Sequence, residues 1–149
     1  MESVKIKIKK THDKAVLPLM TEGNACFDFY AIEDTDVKSM HLATAVLVRT
    51  GLAFEIPEGY HMKLFARSSY GAKTKLFLAN CVGIVDSSYR GEVMGIFKAH
   101  TGRRVTKRIR AGERFMQGLI EKNIPVEFEE VKELTTTDRG GGGFGSTGK

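Results

Sequence analysis

Three stretches of this chain hold groups that could act on an anionic ligand carrying a flat ring. In Asn80-Cys81-Val82-Gly83-Ile84-Val85-Asp86-Ser87-Ser88-Tyr89-Arg90-Gly91, an apolar run ends on a carboxylate and a turn. Asp86 reads either as a turn-former or as a general base at a strand end, with Tyr89 as a flat apolar wall. In Ala66-Arg67-Ser68-Ser69-Tyr70-Gly71, a guanidinium sits beside two hydroxyls. Arg67 could grip phosphate through two N–H bonds while Ser68 and Ser69 donate to other oxygens. A plain N-capped turn with one exposed arginine is the simpler reading of the same residues. The last stretch, 138–149, holds six glycines and one aromatic residue. It cannot build a core and is expected to be a flexible tail, yet Arg139, Phe144, Ser146 and Thr147 are what a phosphate-and-base clamp would use.

Other patterns point away from chemistry. Gly140, Gly142 and Gly145 fit a dinucleotide fingerprint, and 143–149 fits a P-loop, but both motifs need a helix to follow, and the sequence stops at Lys149. Glycine-rich backbone can still fold around phosphate oxygens without a helix. The run 100–110 (HTGRRVTKRIR) holds five basic residues and no acid. It reads as a solvated strand in preference to a nucleic-acid patch. The four histidines lack ligand spacing, and Cys26 and Cys81 lack a zinc or redox motif. Both cysteines are expected to be buried and reduced.

The elements that must position these groups are strands. Val4, Ile6 and Ile8 alternate with lysines, which predicts a half-buried strand. Strands are also expected over 45–56, broken at Gly51, and over 60–65, 115–121 and 126–131. Segments 83–85 and 92–97 are expected to form a hairpin. One short helix is predicted over 69–75, capped by Ser68. Many short strands between turns argue for a sandwich or closed barrel. The length of 149 residues suits one domain. A net charge of +5 suits an anionic ligand without choosing between nucleotide and nucleic acid. No apolar run approaches a membrane span, and the lysine-rich start lacks a signal-peptide core. A cytoplasmic or nuclear protein is the resulting expectation.

Taken in order, five motifs resemble the trimeric dUTPase family. Ala25-Cys26-Phe27-Asp28-Phe29-Tyr30-Ala31 is similar to the family's Ala-Gly-x-Asp-Leu-x-Ala. Arg67-Ser68-Ser69-x-Gly71 follows, then Gly83-Ile84-Val85-Asp86-x-x-Tyr89-Arg90-Gly91 with Asn80 before it. Gly112-Glu113-Arg114-Phe115-Met116-Gln117 is the fourth, and Arg139-Gly140-x-Gly142-Gly143-Phe144-Gly145-Ser146-Thr147-Gly148 the fifth. Cys26, Ala66, Ser69, Glu113 and Met116 depart from the usual residues.

The resemblance implies an all-β, distorted jelly-roll-like barrel over 1–137, and a tail over 138–149 that closes an active site of a homotrimer. It implies hydrolysis of dUTP to dUMP and pyrophosphate with Mg²⁺, and no membrane or nucleic-acid partner. Asp86 would be the catalytic base. Asn80, Gly83, Ile84 and Val85 would hold uracil, Tyr89 the deoxyribose, and Met94 would contact the nucleotide. Arg67, Ser68, Ser69 and Gln117 would hold the inner phosphates. Arg139, Ser146 and Thr147 would hold the outer one, with Phe144 stacked on uracil. Asp28 and Gln117 would reach Mg²⁺ through water. Related dCTP deaminases, and a regulatory binding protein on the same fold, are the rival readings.

Overall fold

In the computed structural model, residues 3–39, 45–99 and 105–143 are described. Ten strands and one helix follow in order: β1 (Lys7–Lys10), β2 (Phe27–Tyr30), β3 (Thr35–Ser39), β4 (Val46–Glu55), β5 (Tyr60–Ala66), α1 (Ser68–Lys73), β6 (Leu76–Leu78), β7 (Gly83–Val85), β8 (Glu92–Ala99), β9 (Val105–Ile109) and β10 (Arg114–Lys122). One antiparallel sheet has the order β1-β4-β8-β6, a second β2-β10-β5-β7, and β3 pairs with β9 as a ribbon. The all-β expectation with one short helix holds.

Apolar residues at every second position explain why the sheets stack. On β8, Val93, Gly95, Phe97 and Ala99 are buried while the residues between them are half-exposed. Phe97 of β8 packs on Phe115 of β10 with ring centroids 5.7 Å apart, and Phe29 of β2 meets Phe54 of β4 at 5.8 Å. These pairs cross from sheet to sheet and form the core. Phe29, Phe97 and Phe115 are fully buried, each stabilising the fold by roughly 1.5–3 kcal/mol.

Several expectations need correction. Segments 83–85 and 92–97 do not form a hairpin. β7 pairs with β5 in one sheet, and β8 lies between β4 and β6 in the other. The turn between them therefore bridges the sheets and leaves a gap. Segment 126–131 is not a strand, because no described strand lies beside it to complete a ladder. Its apolar residues stand in solvent, with Phe128 97% exposed. The helix starts at Ser68, with Arg67 as its N-cap and no side-chain cap bond. It stops at Lys73 because Thr74 takes extended backbone, φ −130° and ψ 172°, and its hydroxyl accepts from the Leu76 N–H at 3.1 Å. At the N-terminus the strand spans Lys7–Lys10 alone; Ile6 packs partly on the core while Val4 and Ile8 are exposed. The short strands β2, β3 and β6 were not anticipated.

Candidate active site

The gap between the sheets is a cleft of about 270 Å³. Strand β7, the turn after it and the start of β8 supply one wall, so Asn80, Gly83, Ile84, Val85, Asp86, Tyr89 and Met94 all line it. All seven were expected at the site from sequence. Leu64 of β5, Leu78 of β6 and Met116 of β10 form apolar lining that was not singled out. Their alternation along half-buried strands was the available signal.

Local backbone shapes the cleft mouth. Cys81 takes φ +59°, and the Val82 N–H donates to the Asn80 carbonyl oxygen at 2.6 Å. This tight turn sets Asn80 beside Gly83, whose Cα hydrogen leaves room next to the Asn80 amide. The Asp86 carbonyl oxygen accepts from the Tyr89 N–H at 3.1 Å. The Asp86 side chain is exposed, and no described residue donates to its carboxylate. Asp86 shapes the turn through its backbone, which leaves the carboxylate available to a ligand or water.

The second set of expected residues lies elsewhere. Met116 points into the cleft, so its neighbour Gln117 points to the other face of the sheet. There Gln117 pairs in register with Asp28 of β2. Asp28 Oδ1 accepts from Arg67 Nε at 2.9 Å, and Oδ2 accepts from Arg114 Nη1 at 3.2 Å. Ser68 and Ser69 open the helix directly after Arg67. Arg114, which sequence reasoning left without a role, thus joins this cluster. Glu113, next to it, accepts from the Tyr70 hydroxyl at 2.6 Å and from the Arg110 N–H at 3.0 Å. Burial, followed by that carboxylate, pushes the Tyr70 phenol well above its ordinary value, so Tyr70 remains a neutral donor that ties the helix to the turn before β10.

Other expectations are placed as follows. Arg139 is exposed, and its Nε donates to the Gly142 carbonyl oxygen at 2.9 Å. Phe144, Ser146 and Thr147 lie outside the described residues, as do 100–104 of the basic run. Arg108 in that run is committed to Asp36 through two hydrogen bonds of 2.8 and 3.1 Å. Cys26 and Cys81 are free thiols, but the expected burial fails: Cys26, just before β2, is half-buried, and Cys81, in the bend before β7, is exposed, because neither holds a core-facing strand position. Among the described residues, no three His, Cys, Asp or Glu side chains converge as a metal cage, and no helix is long and apolar enough to cross a membrane.

A small, largely apolar cleft on a two-sheet, all-β scaffold, with a guanidinium cluster on the outer face of one sheet, is the candidate site. A family profile described as dUTPase matches residues 12–148. The chain is 40% identical over 147 residues to a deoxyuridine 5'-triphosphate nucleotidohydrolase of Nautilia profundicola, covering 98% of this chain and 100% of that one. It is 36% identical to the protein of that name from Helicobacter pylori, covering 97% of each. The fold matches a Staphylococcus bacteriophage 80alpha dUTPase solved with dUpNHpp, with a TM-score of 0.81, 24% identity, and coverage of 97% of this chain and 99% of that one. It also matches a phage phi11 dUTPase studied for a structural Mg(II) ion, at TM-score 0.76, 21% identity, and coverage of 87% and 97%. This chain belongs to the dUTPase family.

Proposed function

We propose that the protein hydrolyses dUTP to dUMP and pyrophosphate, with uracil in the cleft and the triphosphate leading out past Asp86. The observation that carries this is the shape of the cleft. Backbone groups of Gly83 to Val85 and the Asn80 amide edge a cleft of about 270 Å³, which has room for a small ring. Peptide groups can match uracil's acceptor–donor–acceptor edge. Cytosine would set its amino donor against a peptide donor, and unpaired buried groups of this kind give discrimination on the order of 10⁴. Apolar walls at Leu64, Leu78 and Met116 exclude extra bulk such as the thymine methyl. Tyr89 packs under the deoxyribose and crowds a 2′-hydroxyl, with Met94 touching the nucleotide.

Asp86 acts as general base, taking a proton from the water that attacks the α-phosphorus; a new P–O bond forms to that water oxygen, and pyrophosphate leaves with the bridging oxygen as the bond from the α-phosphorus to it breaks. Arg67, Ser68, Ser69 and Gln117 hold the inner phosphates. Arg139, Ser146 and Thr147 hold the outer phosphate, and Phe144 stacks on uracil as tail 138–149 closes over the body 1–137 and excludes water. Asp28, in register with Gln117, has both oxygens paired with Arg67 and Arg114, so it would reach a Mg²⁺ ion through water and not as a direct ligand, which suits an ion that dehydrates reluctantly. Bound there through water, the ion would supply charge neutralisation on the phosphates.

One chain divides the machinery between two faces of a sheet. We infer that a homotrimer joins the cleft of one copy to the Arg67 cluster of another. The apolar arm supports this: Ile124, Phe128 and Leu134 are 84%, 97% and 86% exposed, more than an isolated chain usually leaves in one segment. Light scattering at the mass of three chains is expected, and a monomer would contradict it. Free thiols and a nucleotide substrate suit a cytoplasmic or nuclear location.

The test of function is pyrophosphate release from dUTP, dCTP, dTTP and UTP, with Mg²⁺ and with EDTA. Mg²⁺-dependent release from dUTP alone is expected. Ammonia release from dCTP would move the chain to the deaminase side, and no turnover at all would make it a binding protein.

A further inference from the structure

Tyr89 is held by two contacts at the start of β8. Its ring lies against Gly91, where an added Cβ would come within 2.3 Å of the phenol oxygen. Its hydroxyl donates to the Glu92 carbonyl oxygen at 3.1 Å. Residue 92 is itself pinned from the side by its own carboxylate. Arg49 on β4 donates to both oxygens, Nη2 to Oε2 at 2.8 Å and Nε to Oε1 at 3.2 Å. The Gly51 N–H donates to Oε1 at 2.8 Å, and Thr11 Oγ1 donates to Oε2 at 3.5 Å.

The register of the sheet explains why a carboxylate is needed there. Arg49 pairs with Met94 and Ala53 with Glu92, so Thr50, Gly51 and Leu52 oppose Val93 alone. Such a bulge leaves the Gly51 N–H without a strand carbonyl, and the Glu92 side chain replaces it. The bulge is fixed in form. Gly51 takes φ +67°, and a Cβ on it would lie 2.9 Å from that of Ala15. Burial raises the Glu92 carboxyl, but the bonds from Arg49, Gly51 and Thr11, with the charge of Arg49, outweigh it and hold the group below its ordinary range. Glu33 adds an acidic field on Arg49. The side chain of Glu92 is 14% exposed, so this is an internal clamp more than a surface ion pair.

We propose that Glu92, clamped by Arg49, is a positioning residue for Tyr89 and through it sets the discrimination between deoxyribose and ribose. The proposal rests on the dUTP-hydrolase reading and on Tyr89 as the sugar wall. Glu92 lines the cleft, but both its carboxylate oxygens are committed to Arg49, Gly51 and Thr11, so it acts through the strand start and the phenol it holds. Loss of the clamp frees residue 92 to shift, the phenol loses its fixed acceptor, and the ring moves off the position that crowds a 2′-hydroxyl.

The test compares kcat/KM for dUTP and UTP in the wild type, Arg49→Met, Arg49→Lys, Glu92→Gln and Tyr89→Phe, with the thermal midpoint of each. Arg49→Met and Glu92→Gln should raise the UTP:dUTP ratio of kcat/KM about threefold, with kcat for dUTP in Arg49→Met within about twofold of wild type. Arg49→Lys, which keeps the charge but not the fork, should fall between. Glu92→Gln with Tyr89→Phe should shift the ratio by less than the product of the single changes. A lowered midpoint with an unchanged ratio in Arg49→Met would make the clamp structural only and overturn the proposal; that variant decides the matter even if Glu92→Gln does not fold. A wild type that hydrolyses dUTP selectively while every variant keeps that selectivity defeats this inference alone. A wild type with no preference for dUTP defeats the functional reading beneath it as well.

Discussion

The two faces of the β2-β10-β5-β7 sheet carry groups of opposite kinds. Inward, Leu64 and Met116 give the cleft apolar walls, and its polar edge is backbone held in place by turns. Outward, Asp28 fastens Arg67 and Arg114 into a fork of charge. Backbone and apolar walls discriminate shape and hydrogen-bond pattern while remaining insensitive to salt. Paired guanidinia attract phosphate, are screened by salt, and discriminate little. A nucleoside triphosphate needs both, and two residues adjacent on one strand, Met116 and Gln117, assign each kind to its own face.

Asp86 is exposed at the edge of the cleft, and as the proposed base its loss should do the most harm. Asp86→Asn should bind dUTP near normally yet lower kcat by about 10²–10⁴-fold; near-normal kcat would refute the base assignment. Truncation before Arg139 should leave the fold intact and cut activity on the order of 10²-fold, since it removes groups that position phosphate. Full activity in that protein would remove the tail from the site. Tyr89→Ala acts on the cleft alone. It should raise activity on UTP relative to dUTP by about tenfold, and an unchanged ratio would take Tyr89 out of sugar recognition.

The smallest expected effect is on stability in acid. The Glu92 carboxyl lies below its ordinary 4.5 in the folded chain. Its contribution is therefore fully present above that value and is lost as pH falls through the lowered one. Glu92→Gln should lie below wild type in thermal midpoint at neutral pH, with the gap narrowing in acid. A gap independent of pH would show that the charge of Glu92 does not stabilise the fold.

The cleft was legible in the sequence because most of it is one stretch, from Asn80 to Met94, whose turn residues and Asp86 carboxylate are neighbours in the chain. The outer cluster was legible only in parts, since Asp28, Arg67 and Arg114 meet by strand pairing. Alternation says which way a side chain faces but not which strand lies beside it. That is why alternation suggests a strand over 126–131 although no described neighbour pairs with it, and a hairpin of β7 with β8 although each joins a different sheet. The Glu92 clamp was illegible for the same reason: it answers a register shift around Gly51 that exists only once β4 and β8 have paired.

Co-assembly of two inactive chains tests the joining of these faces most directly. Asp86→Asn and Arg67→Ala proteins, unfolded together and refolded as a mixture, should regain dUTP hydrolysis at roughly one site in four, because some sites then draw an intact cleft from one copy and an intact cluster from another. If the mixture stays as inactive as its parents while wild type recovers from the same treatment, cleft and cluster do not meet across copies, and the shared site is wrong.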